Sequence, residues 1–300
     1  MTTPQPSNPS PAQLPSGGPA GLFFIYGAVF LLSLNGLFAK LIPLEAVAIT
    51  QLRSFIAAWG FIALAAAGRR SFRMGSLKRY AGVYALGILL GVHWVTFFHA
   101  MQVSSVAVGM LSLFSFPVIT ILLEPCFSKT RLAPRDVAAG LLVVTGLAVM
   151  VSRDLESLNG AVMQGVCWGA LSALLFALRN LLQKYRFSNV PSDRLMFHQV
   201  VAIALMLLPW TAVPQLTDLT PEVWLKLLLL GVLSTAAAHT LYAASLKRLP
   251  AKTAALIGCL QPVIASVLAW LVIGETPPIQ VAIGGGIILT VAIHESTQKS

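Results

Sequence analysis

Two short stretches carry polar and aromatic side chains inside otherwise apolar runs: His93, Trp94 and Phe97 in one, His239 and Tyr242 in the other. On a helix, Trp94 and Phe97 share a face, and His93 lies beside them, one turn from Phe97. An imidazole offers a donor, an acceptor and a proton that titrates near neutrality. Trp168 and Ser172 are four apart and share a face in a third run. Gln261, beside Pro262, adds amide donors and a carbonyl acceptor, and Ser33 and Asn35 are further polar candidates. Uncharged groups of this kind could hold an ammonium and a carboxylate without net charge. The competing reading is interfacial anchoring for the aromatics and interhelical hydrogen bonding for the rest. Arg53 and Arg179 read as snorkelling side chains near the ends of their runs, with carboxylate binding as the alternative. His99 and His198 also fall near run ends.

Other chemistry finds little footing. None of the patterns G-x-S-x-G, H-E-x-x-H or a P-loop occurs, so an intramembrane enzyme lacks its nucleophile and base. Cys126, Cys167 and Cys259 sit unpaired in apolar runs and read as packing residues. No metal and no cofactor is expected. No Asp or Glu falls deep in an apolar run; Glu124 and Glu275 lie near run ends, so a buried carboxylate relay has no support. Uncoupled flow is then favoured, with protonation of His93 and His239 as the alternative.

The elements that must position these residues follow from composition. Of 300 residues, 57% are hydrophobic and 10% charged, too few charges for a water-facing surface. The net charge of +10 is spread in short clusters between apolar runs, which argues against nucleic acid. Ten runs are long enough to cross a bilayer as helices: 21–40, 46–67, 78–99, 104–127, 135–151, 160–181, 195–214, 222–246, 252–273 and 278–294. Residues 1–20, without a charged side chain, read as a disordered tail, and 295–300 as a second tail. Alternate loops hold fifteen Lys and Arg, among them Lys78, Lys129, Lys184 and Lys252, while the opposite loops hold Lys40 and Arg153. Both termini are therefore expected in the cytoplasm.

The ten runs divide into two sets of five, 21–151 and 160–294. A gapless shift of 145 residues brings Pro117-Val118-Ile119 onto Pro262-Val263-Ile264, Gly140 onto Gly285, Trp94 onto His239 and Phe97 onto Tyr242. Five is odd, so the second set enters the membrane from the opposite side, the plan of inverted-repeat transporters. Pro117 and Pro262 fall near the centres of their runs, where each removes a backbone donor and frees a carbonyl. They read as paired hinges beside a central site, against the alternative of packing kinks.

Ten spans in two inverted halves resemble the drug/metabolite transporter superfamily, in particular its EamA-type members. Gln261-Pro262-Val263, followed by Ile273-Gly274-Glu275, is similar to that family's proline-to-acidic ending; Lys129-Thr130 departs from it in the first half. The resemblance implies an all-α integral membrane protein whose spans 1–4 and 6–9 enclose a cavity and whose spans 5 and 10 join the halves. Small residues at Ala138–Gly140 and Gly284–Gly286 suit that joint. It further implies a secondary transporter of the cell inner membrane, resembling bacterial exporters of amino acids, aromatic ones included, that works by alternating access. A multidrug exporter of lipophilic cations is the alternative with the same fold. The expected partners are a small-molecule substrate and the lipid bilayer, and a monomer suffices by architecture. The substrate-contact residues expected are His93, Trp94, Phe97, Trp168, Ser172, His239, Tyr242 and Gln261.

Overall fold

The computed structural model describes residues 19–68, 71–104, 106–129, 131–150, 152, 160–210, 219–274, 276–277 and 279–297. Most of the expected N-terminal tail, Arg69, Arg70, Arg153, Glu275 and Lys299 lie outside the described residues. The chain is a bundle of helices: α1 (Pro19–Leu41), α2 (Ala46–Gly68), α3 (Leu77–Val103), α4 (Val106–Leu113), α5 (Phe116–Ser128), α6 (Pro134–Met150), α7 (Gly160–Arg186) and α8 (Ser192–Leu207). There follow α9 (Pro221–Leu229), a π-helical stretch (Leu230–Ala237), α10 (Ala238–Leu246), α11 (Ala251–Gly258), α12 (Gln261–Ile273) and α13 (Ile279–Thr297). Among the described residues, eight spans are long and apolar enough to cross a membrane, counting 108–128, 221–246 and 251–272 as single spans. The shorter α6 and α8, of 17 and 16 residues, complete the ten.

Local chemistry sets the ends. Ser76 accepts from the Arg79 amide at the start of α3, and Thr220 accepts from Val223 N–H ahead of Pro221 at the start of α9. Large apolar side chains such as Phe23, Trp59, Leu64 and Leu271 point outward, as a lipid-facing surface requires.

Spans four and nine differ from the expected single runs. Each is two half-helices, α4–α5 and α11–α12, and each proline begins the second half where its missing N–H is no loss. The expected kinks are full breaks, at Phe114–Ser115 and Cys259–Leu260.

The packing has two-fold internal symmetry. α1 packs against α10 and α12 as α7 packs against α3 and α5. α2 lies on the π-helical stretch as α8 lies on α3, and the pairs α2–α8 and α6–α13 are related to themselves. Exchanging the halves leaves this pattern unchanged. Because each half has five spans, the halves begin on opposite faces, and the axis lies in the membrane plane.

Residues that touch their own repeat partner mark that axis. Cys259 Sγ lies 4.0 Å from the Phe114 carbonyl, 145 positions away. A second correspondence exposes the origin of the π-helical stretch. Gly87 lies against the backbone of Gln199, and Gly231 against that of Arg53, so these two close approaches are repeat partners. From Gly87 to Trp94 is seven positions, but from Gly231 to His239 is eight. The π-helical stretch takes up the extra residue.

Spans five and ten meet as expected through Gly284, but its partner is Gly146 and not Ala138–Gly140. A Cβ on Gly284 would lie 2.2 Å from the Gly146 carbonyl, whereas Gly140 and Gly285 pack on Val118 and Val263 within their own halves. One at Gly286 would meet nothing within 4 Å.

Candidate functional site

A cavity of about 40 Å³ lies where the two broken spans meet, halfway along both, and Leu113, Phe114, Phe116 and Gln261 from the breaks line it. α3 contributes His93, Trp94 and Phe97, α10 contributes His239, α7 contributes Phe176, and α1 and α2 contribute Asn35 and Arg53. The walls are largely aromatic. Phe116 meets Phe176 edge-on at 5.0 Å between centroids, His93 stacks on Phe176 at 4.6 Å, and Trp94 meets His239 at 5.0 Å. The volume holds about three waters and is far below the ~300 Å³ of a small ligand pocket. In this conformation the cavity is too small for an amino-acid-sized ligand, so loading it requires its walls to part.

The polar groups are unevenly satisfied. His93 Nδ1 lies 2.7 Å from Ser172 Oγ, and that hydroxyl is also 2.9 Å from the His93 carbonyl. His239 is 2% exposed, and neither ring nitrogen has a hydrogen-bond partner among the described residues. Asn35 Oδ1 is likewise buried and unpartnered. Buried polar atoms are rarely left so without a ligand or water to meet them.

Of the residues expected to touch a substrate, the fold gathers His93, Trp94, Phe97, His239 and Gln261 around this space. Three lie elsewhere. Trp168 is 38% exposed on the outer side of α7, its ring edge-on to His99. Ser172 is one layer behind the wall, where it orients His93. Tyr242 is buried behind Phe176, 5.8 Å between rings. Helical spacing puts Trp168 and Ser172 near one face, but a turn of offset separates lipid from interior.

Arg53 and Arg179 are corrections of another kind. Both are fully buried, so neither snorkels. Arg53 Nε donates to Thr235 Oγ1 at 2.8 Å, Nη2 donates to the Ser234 carbonyl at 3.3 Å, and Cζ lies 4.4 Å from the centre of the Trp94 ring. Arg179 donates from Nε and Nη2 to Gln199 Oε1 and from Nη1 to Asn180 Oδ1. The signal in the sequence was depth. Seven residues into its helix, Arg53 lies about 10 Å from the end.

One end of the bundle is tied shut by charge. Glu124, near the end of α5, accepts from Tyr185 Oη at 2.7 Å and from the amides of Ala251 and Lys252 at 2.8 and 2.9 Å. It thereby caps the start of α11 from outside, where negative charge is favoured. Lys184 Nζ donates to the carbonyls of Leu246 and Leu249 and caps the end of α10. Lys252 pairs with Asp136, and Thr253 donates to Glu295. The connection between spans eight and nine is thus held on both sides. Glu124 belongs at a span end, as expected, and is buried there.

An all-helical bundle of two inverted five-span repeats around a central cavity defines a multi-pass membrane transporter. The chain belongs to the EamA-like transporter family, whose profile matches it twice, over residues 19–152 and 163–294. It is 26% identical over 223 residues to the "Uncharacterized transporter YxxF" of Bacillus subtilis (strain 168), covering 73% of this chain and 70% of that protein. It is also 26% identical over 151 residues to an "Uncharacterized transporter" of Clostridium kluyveri, covering 48% and 49% of the two chains. One crystal structure superposes with a TM-score of 0.77 at 20% identity over 93% of this chain and 96% of that one, a likeness of fold. Membership in this family sets the chain among transporters rather than enzymes.

Proposed function

We propose that this protein exports neutral amino acids, aromatic ones included, across the cell inner membrane by alternating access, with both termini in the cytoplasm. The observation that carries the reading is the cavity at the two breaks. Its rings suit a planar apolar side chain, and its unpartnered Asn35 and His239 suit the polar groups of an amino acid. Pro117 and Pro262 act as hinges, because the half-helices they begin can tilt without breaking a backbone hydrogen bond at those positions. A panel of radiolabelled amino acids in proteoliposomes tests the function. Flux of several neutral species, aromatic ones among them, is the expected result, and silence across the panel removes the assignment. The multidrug reading draws on the same aromatic walls. It predicts tight binding of lipophilic cations and no amino-acid flux.

A further inference from the structure

The two buried arginines stand in different electrical situations. Neither meets a carboxylate within ion-pair distance among the described residues. Arg179 spends its donors on Gln199 and Asn180 and does not line the cavity, so its charge is absorbed by neutral acceptors inside the wall. Arg53 does line the cavity. Its two hydrogen bonds, to Thr235 and to the Ser234 carbonyl, engage Nε and Nη2, and Nη1 has no acceptor among the described residues. Trp94 covers one face of the guanidinium with π-electrons, which attracts a cation without cancelling its charge.

A cation taken out of water needs either a full set of acceptors, as Arg179 has, or an opposite charge, and the described residues around this cavity give Arg53 neither. The complement has to enter with the transported molecule. A guanidinium fork matches a carboxylate in charge and in planar geometry. The rest of the wall then sorts the remainder of the ligand. Phe97, Phe114, Phe116 and Phe176 accept an apolar ring, while Asn35 Oδ1 and a ring nitrogen of His239 are acceptors free for an ammonium.

We infer that Arg53 is the specificity-determining residue of this cavity, binding the substrate's carboxylate, so that the protein carries aromatic and other apolar carboxylates and rejects amines and lipophilic cations lacking one. This rests on the reading of the cavity as the substrate site, but it is separable from the amino-acid assignment. Three molecules that share an indole ring divide the possibilities: tryptophan, with carboxylate and ammonium; indole-3-propionate, with the carboxylate alone; and tryptamine, with the ammonium alone.

The experiment uses the full chain in proteoliposomes. Flux of each labelled compound is measured, together with its competition against the others. Tryptophan and indole-3-propionate are expected to be carried and to compete, with tryptamine weaker by about tenfold or more. Arg53→Gln should raise the half-saturating concentration for both carboxylates by about tenfold or more, and Arg53→Lys should restore part of it. Tryptamine carried or competing as well as tryptophan would overturn the inference while leaving amino-acid transport standing. Flux of indole-3-propionate without tryptophan would support Arg53 and remove the amino-acid reading. Unchanged carboxylate flux in Arg53→Gln would overturn the inference outright. If that variant fails to assemble, the analogue series on the unaltered chain decides the matter alone.

Discussion

Trp94 and His239 are repeat partners, 145 positions apart, and they touch each other with ring centroids 5.0 Å apart. A residue meets its own partner only on a symmetry axis, so this contact places the axis through the cavity wall. The same position carries an indole in one half and an imidazole in the other, which makes a symmetric frame chemically one-sided.

That one-sidedness bears on energy coupling. His239 has no hydrogen-bond partner, and no Asp or Glu lines the cavity among the described residues. Flux in proteoliposomes should therefore be the same with and without a pH gradient. Acceleration by the gradient that disappears in His239→Ala would establish proton coupling through this imidazole.

The joint between spans five and ten depends on backbone contact at glycine. A Cβ at Gly284 would meet the Gly146 carbonyl at 2.2 Å and Met150 N at 2.9 Å, atoms that cannot turn aside. Gly284→Ala should lower stability by about 1–3 kcal/mol, seen as a lower thermal midpoint in detergent. Gly286→Ala, two positions on with open space around it, should be neutral or stabilising by up to about 1 kcal/mol. Equal effects from the two would refute the close approach.

Lys129 and Gly274 end the corresponding helices α5 and α12 in left-handed conformation, with φ 58° and 72°. Glycine adopts this without strain; lysine does not. Lys129→Gly should stabilise the protein by about 1 kcal/mol, and Gly274→Lys should cost a similar amount. Thermal unfolding of the pair of variants checks both signs.

Glu124 holds the connection between spans eight and nine through three hydrogen bonds. Glu124→Gln removes the charge that strengthens them and should cost about 1–3 kcal/mol. It should also expose that end of the bundle, read as faster labelling of a cysteine placed at Ala251. Labelling at the unaltered rate would show that the carboxylate does not hold this end shut.

Much of the architecture was readable from the chain alone. Runs such as Ala46–Gly68 are apolar over most of their length, and in lipid only a helix satisfies their backbone. The Pro-Val-Ile repeat fixed the halves, and their odd span count fixed the inversion. The site was readable only in part. His93, Trp94 and Phe97 are marked by type and spacing, but Trp168 carries the same marks and faces outward. Spacing defines a face of a helix without saying which neighbour covers it.

What the sequence by itself determined is therefore the solvent, the number of spans and their inverted duplication, because these depend on length, apolarity and parity. Only the tertiary structure decided where charge resides. The depth of Arg53 in its helix was legible, but not what receives its charge: it donates to Thr235 and to the Ser234 carbonyl in the π-helical stretch of span eight. Those contacts join residues about 180 positions apart, 182 for Thr235 and 181 for Ser234, and no local pattern encodes them.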